Sequence, residues 1–275
     1  MENRISILIR TFNSEKTLGQ VLCGIHLQEG DEFLVVDSGS TDSTLKIAGE
    51  YGAKILHAPK PFNYSKSLNI GFNAAVNPWV LVLSSHCVPI VPSFLEILRS
   101  EAAGLPQEVL VGYCPSTISG KSDPQLDPEN TSIFAPGDYT RVRQVCGNGN
   151  TIYRKTAWEK LPFDETKKTA EDKLWIQEMV QRGYRFAYIP RARGINKNQA
   201  SLKYMFWKGY RDERALPQHK PMSIYCLGGA LKKIAMQKVS GEIDWGNWLR
   251  YSAHIMGEFF GSYRSSDNTS NNGAS

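Results

Sequence analysis

Short apolar runs alternate with helix-patterned segments along the first half of this chain, and that alternation restricts the fold more than any other feature. Ile5–Ile9 is the first run and ends in Arg10-Thr11-Phe12-Asn13. Ser14 stands where an N-cap belongs, ahead of a helix to about Gly24 with Leu18, Val21, Leu22 and Ile25 on one face. Phe33–Val36 is the second run, closed by Asp37-Ser38-Gly39-Ser40-Thr41-Asp42. Ser40 or Thr41 can cap the next helix, which runs to Tyr51 with Gly52 at its end. Lys54–Leu56 is the third run. A β-α-β-α-β pattern with short connections predicts an α/β fold, a doubly wound and mostly parallel sheet.

The run Val80–Leu83 is apolar throughout, as expected of a strand buried on both faces. It breaks into Ser84, Ser85, His86 and Cys87 and stops at Pro89. Ligands in open α/β sheets sit beyond the carboxyl ends of the strands, so this polar cluster is the first place to look for chemistry. A helix from Ser65 to Ala75, ended by Asn77-Pro78, precedes it; a helix opened by Pro92 and a strand Val109–Tyr113 follow. Residues 114–139 show no periodicity and read as a long functional loop. Arg141–Val145 and Thr151–Tyr153 carry short β patterns. Thr169 or its successor opens a helix bearing Glu171 and Asp172 and closed by Gly183; Arg185–Ile189 is a strand stopped by Pro190.

Ala200–Ala215, Ile224–Lys238 and Trp245–Phe260 read as amphipathic helices. The expected division is one α/β domain over residues 1–215, a helical extension over 216–264 and a disordered polar tail over 265–275.

Composition narrows the class. With 41% apolar and 21% charged residues in 275, the chain is globular. No apolar run approaches the ~18 residues of a membrane span, and no signal-peptide pattern opens the chain. The five cysteines are widely spaced with no CxxC, which fits a reducing cytoplasm rather than a disulfide framework or zinc knuckle. Net charge is +5, yet Arg191–Lys238 holds eleven Lys/Arg against Asp212 and Glu213. Such a block suits phosphates or an anionic inner-leaflet surface, or is simply a solvated face. No RNA-recognition signature accompanies it, so nucleic acid is not expected as a partner.

Several residues can carry chemistry, and each has a plainer reading beside it. Asp37, at a strand end, can reach a ribose or base, or can bond its own turn across Ser38-Gly39. His86 can ligate a metal, meet a diphosphate, or be structural. Glu171 and Asp172 at a helix start can supply a general base, or merely complement the helix dipole. Trp207 and Arg211 lie with Lys203 and Arg214 on a basic aromatic stripe that suits an acceptor or a membrane surface. No Walker, HExxH or GxSxG motif occurs.

Six stretches in one order, ISILIRTFNSEKTL, FLVVDSGSTDST, FNYSKSLNIGFNAA, VLVLSSHCVP, GNGNTIYRKTAWEKLPFDE and EDKLWIQEMVQRGYRFAYIP, resemble the GT-A-fold, family-2 inverting glycosyltransferases over Ile5 to Ala215. The nearest likeness is to rhamnosyltransferase-like enzymes of bacterial surface-polysaccharide synthesis. The resemblance implies a UDP-, dTDP- or GDP-linked sugar donor, with Thr11, Asn13 and Asp37 at the nucleoside and Lys66 and Asn69 near its phosphates. It implies Asp172 as the base, Asn148 and Asn150 near a glycan or lipid-linked acceptor, and Ser84-Ser85-His86 where the family carries Asp-x-Asp. Both aspartates are replaced here, and Ile195-Asn196-Lys197-Asn198 lacks the further His that relatives often carry after the last strand. A Mg2+ or Mn2+ ion with His86 as a ligand, and metal-independent transfer, therefore both stand. A nucleotidyltransferase and a non-catalytic nucleotide-sugar-binding protein are the rival readings.

Overall fold

The computed structural model describes residues 4–117, 129–139, 146–167, 169–197, 200–215, 224–241 and 244–263. The expected strand Arg141–Val145, part of the 114–139 loop and the expected tail lie outside the described residues.

The described residues form an eight-stranded sheet in the order β3-β2-β1-β4-β9-β6-β10-β8. Its members are β1 (Ile5–Thr11), β2 (Glu32–Asp37), β3 (Lys54–His57), β4 (Trp79–Ser84), β6 (Val109–Tyr113), β8 (Ser132–Phe134), β9 (Asn150–Arg154) and β10 (Arg185–Tyr188). β1 runs parallel to β2 and β4, and β2 to β3, as the alternation predicts. β9 enters antiparallel between β4 and β6, and β8 pairs antiparallel with β10 at the edge. A smaller sheet joins β5 (Cys87–Pro89), β11 (Gly194–Asn196) and β7 (Ser116–Thr117).

Alternation along the strands sends side chains to two cores. Ile5, Ile7, Ile9, Leu81 and Leu83 pack with α1 (Leu18–Cys23) and α4 (Phe94–Gly104) on one face; α2 (Thr44–Glu50) adds Ala48 there. Leu8, Val80 and Val82 pack on the other face with α3 (Tyr64–Ala74), α5 (Lys155–Lys160) and α6 (Glu171–Gln181). Each fully buried aliphatic side chain contributes about 1.5–3 kcal/mol. α3 lies so close to β1 that a Cβ on Gly71 would clash with the Leu8 side chain.

Three helix starts differ from the sequence expectation; at the first two the polar side chain expected as the cap is bonded to a distant segment instead. Ser14 does not cap α1; its hydroxyl shares a 2.9 Å hydrogen bond with Ser85 Oγ, and α1 begins at Leu18. Ser40 and Thr41 do not cap α2, which starts at Thr44, because Ser40 bonds Asp37 and Asn13. Asn63, not Ser65, caps α3, accepting from Lys66 N at 2.8 Å. Cys87–Pro89, expected only as the end of the polar break after Val80–Leu83, pairs with Gly194–Asn196 as a short ribbon.

The chain divides into two compact units, residues 1–198 and 199–275. The helix α7 (Leu202–Ala215), expected as the end of the α/β domain, falls in the second unit because it packs along α9 (Trp245–Ser262). Their backbones approach closely at Gly209, Gly257 and Gly261; a Cβ on Gly257 would clash with the Phe206 carbonyl. α8 (Ile224–Val239) completes the unit. Among the described residues no helix is long and apolar enough to cross a membrane.

Candidate active site

Four segments meet where β1 and β4 end. Because β9 runs antiparallel to β4, the residues entering β9 return to the carboxyl end of β4: Ser84 N donates to Gly149 O at 3.0 Å. One residue earlier, Asn148 N donates to Asp172 Oδ2 at 2.9 Å and so ties this segment to the first turn of α6. Arg10, in register with Ser84 on β4 and Val36 on β2, reaches the same turn through a 3.0 Å contact of Nη1 with Glu171 Oε1. The Tyr64 ring covers the Arg10 guanidinium, 5.2 Å from Cζ to centroid.

The two carboxylates differ in environment. Glu171 is buried, and burial pushes its carboxyl above the ordinary range. Arg10 pulls against that rise and neighbouring Asp172 adds to it. Asp172 is less buried and is oriented by two backbone donors, Asn148 N and its neighbour Lys173 N at 2.8 Å. Behind Asn148, the Tyr153 hydroxyl donates to its Oδ1 at 2.5 Å. Burial pushes the Tyr113 and Tyr153 phenols and the Cys146 thiol up, so the wall behind Asp172 is uncharged. Asn148 Nδ2 is buried without a hydrogen-bond partner among the described residues.

On the β1–β2 side, Thr11 is buried and its Oγ1 also has no partner among the described residues. Asn13 adopts a left-handed backbone, φ 46°, and its side chain accepts from Thr41 N at 2.8 Å, clasping the two strand-end loops together. Asp37 accepts from Gly39 N at 2.8 Å, Ser40 N at 2.9 Å and Ser40 Oγ, with Gly39 at φ 98°. Of its two sequence readings, the turn aspartate is the one seen.

Asn69, expected near the donor phosphates, is fully engaged elsewhere. Its Oδ1 accepts from Trp158 Nε1 and Phe163 N, and its Nδ2 donates to Phe163 O and Glu165 Oε1, all within 3.0 Å. It tethers α3 to the segment after α5. Lys66, one turn earlier, is half exposed, its Nζ 3.9 Å from Glu165. Asn150 is buried; its Nδ2 donates to Ala192 O at 2.9 Å and Pro115 O at 3.2 Å, while its Oδ1 has no partner among the described residues. Ser85 is committed to Ser14 and Thr17. His86 is half-buried, and its carbonyl accepts from Lys197 N at 2.8 Å, so the segment lacking the family's further His does lie beside it. In the second unit, Trp207 and Arg211 are exposed one turn apart on α7, with Trp207 edge-on to Phe206 and Tyr210. Arg10 and Tyr64 carried no role in the sequence reading; a lone charge ending an apolar strand was the signal available for Arg10.

The residues at the end of β4 do not fit a hard divalent cation. Mg2+ and Mn2+ take carboxylate-rich oxygen sets, whereas this segment offers two hydroxyls, one of them committed, and an imidazole. Among the described residues no three His, Cys, Asp or Glu side chains gather as a metal-holding group.

Comparison with known proteins places the fold and the family. Glucosyl-3-phosphoglycerate synthase of Petrotoga mobilis is 41% identical over 191 residues, covering 58% of this chain and 56% of the relative. The O-antigen chain rhamnosyltransferase RfbN of Salmonella typhimurium is 22% identical over 210 residues, covering 69% and 65%. Other curated relatives are much longer than their match; the chain spans 17% to 36% of them. Among solved structures, glucosyl-3-phosphoglycerate synthase from Mycobacterium tuberculosis with Mg2+ and UDP superposes with TM-score 0.60 at 17% identity, covering 77% of each chain. S. aureus TarS residues 1–349 with UDP-GlcNAc gives 0.60 at 16% identity, covering 93% and 90%. The sheet is thus of the GT-A type. The family model for glycosyl transferase family 2 matches residues 6–192, more than half of the sequence, and the chain belongs to that family.

Proposed function

We propose that this chain transfers a sugar from a nucleotide-diphosphate donor to an acceptor hydroxyl with inversion, using Asp172 as general base. The observation that carries the reading is the presentation of Asp172 at the mouth of the strand ends, oriented by Asn148 N at 2.9 Å. The acceptor oxygen forms its bond to the anomeric carbon as Asp172 takes the hydroxyl proton. The bond to the donor diphosphate breaks on the opposite face, and the electron pair leaves with the diphosphate. Asn148 Nδ2 is suited to donate to a sugar or acceptor hydroxyl. Thr11 serves the nucleoside side, Lys66 supplies positive charge for the leaving group and His86 a ring N–H donor.

A glycan or lipid-linked acceptor fits the relatives' chemistry, and the cytoplasmic face of a membrane fits the second unit. Trp207, Tyr225 and Trp245 are exposed there, and Lys203, Arg211 and Lys232 accompany them. Aromatic and cationic helix faces of this kind dock on anionic lipid. Flotation with phosphatidylglycerol vesicles tests this; absence of co-flotation removes it.

For the transfer itself, nucleoside diphosphate release is measured from UDP-glucose, dTDP-rhamnose and GDP-mannose. Release from one donor supports the reading. Thermal stabilisation by a nucleotide with no release from its sugar leaves a binding protein instead.

A further inference from the structure

We infer that Arg10 is a positioning residue for the base, gripping Glu171 and thereby fixing Asp172, rather than a cation for the leaving diphosphate. The inference rests on the glycosyl-transfer reading above. Arg10 comes from β1 and Glu171 from α6, 161 residues later, and their side chains are 20% and 7% exposed. One nitrogen of the fork is committed to Glu171, and the Tyr64 ring covers the guanidinium. Its charge is already met by a buried carboxylate, which leaves little for a diphosphate. Arginine suits this task because its planar fork holds a carboxylate while stacking on an aromatic ring.

The start of α6 has an evident need for such a grip. Ala170 precedes it in a left-handed backbone conformation, φ 58°, and no side chain caps the helix. A non-glycine residue holds that conformation only where its surroundings impose it. Glu171 through Arg10 and Asp172 through Asn148 N tie this turn to β1 and to the residues entering β9. Because the two carboxylates are consecutive on one turn, fixing Glu171 also sets where the Asp172 carboxyl points. Pairing Glu171 with a cation also keeps it from contributing an unbalanced negative charge beside the base.

The test compares Arg10→Ala, Arg10→Lys, Glu171→Gln and the Arg10→Ala/Glu171→Gln double variant in the full chain. Three readouts are taken: hydrogen–deuterium exchange over residues 171–176, thermal-shift titration with UDP, dTDP and GDP, and nucleoside diphosphate release from the three donors. Arg10→Ala is expected to speed exchange in that turn about tenfold. It should lower kcat about a hundred-fold, the cost of a small misplacement of the base, with donor KM and nucleotide stabilisation unchanged. Glu171→Gln added to Arg10→Ala should cost nothing further, since the pair acts as a unit, and lysine at position 10 should restore part of the rate. Unchanged exchange at 171–176, or a loss expressed in donor KM and additive with Glu171→Gln, overturns the inference and gives Arg10 to the donor. Should Arg10→Ala fail to fold, Arg10→Lys and Glu171→Gln decide by the same readouts. Absence of release by the wild-type chain counts against glycosyl transfer alone, because exchange at 171–176 reports on the grip independently.

Discussion

Asn148 N donates to Asp172 Oδ2 at 2.9 Å, joining the residues that enter an antiparallel strand to the first turn of a helix 24 residues later. The bond aims one carboxylate of an adjacent pair, while Arg10 holds the other.

Asp172→Asn keeps the shape of that side chain and removes its ability to take a proton. Turnover should fall by roughly two to four orders of magnitude, with nucleotide-induced thermal stabilisation intact. Steady-state release of nucleoside diphosphate checks this; near-normal turnover would remove Asp172 as the base.

Glu171 gives a stability prediction with a definite sign. Burial outweighs Arg10 and raises its carboxyl in the folded state above the unfolded value. The folded chain therefore holds this proton more tightly, so its stabilising effect is full below the unfolded value of about 4.3 and is lost as pH rises through the folded one. Glu171→Gln abolishes that loss. Its Tm relative to wild type should climb from pH 4 to pH 7, and a fall over that range would contradict the assignment.

Asn69→Ala should weaken the fold rather than donor recognition. It strands Trp158 Nε1 and Phe163 N, which now bond Asn69 Oδ1. Each unsatisfied buried donor costs about 1–3 kcal/mol. Denaturant unfolding should show that loss while donor KM holds; a raised KM with unaltered stability would return Asn69 to the phosphates.

The donor set after β4 bears on metal dependence. Stabilisation by the preferred nucleoside diphosphate should survive EDTA, and His86→Ala should reduce turnover more than Tm. A shift lost on chelation and regained only with Mn2+ would instead make the half-buried His86 a ligand.

Period and propensity carried much of the fold. Ile5–Ile9, Phe33–Val36 and Val80–Leu83 declare buried parallel strands because every residue in them but Ser6 is apolar. Glycines 52 and 183 sit at helix ends with φ 68° and 87°, as their lack of a side chain allows. Glu171-Asp172 at a helix start and the polar break after β4 were likewise visible along the chain. Polar side chains were the weak point: Ser14, Ser40, Asn69 and Asn150 each suit a cap or a ligand by type, and only their partners decide. Those partners lie 71 residues away for Ser14, up to 96 for Asn69 and 42 for Asn150. By itself, then, the sequence determined the α/β layering and the strand ends that bear the site, because burial and backbone preference are local properties. The antiparallel entry of β9, the Arg10–Glu171 pair and the aim of Asp172 were decided by tertiary structure. Hydrogen bonds and ion pairs between distant segments leave no periodic trace along the chain.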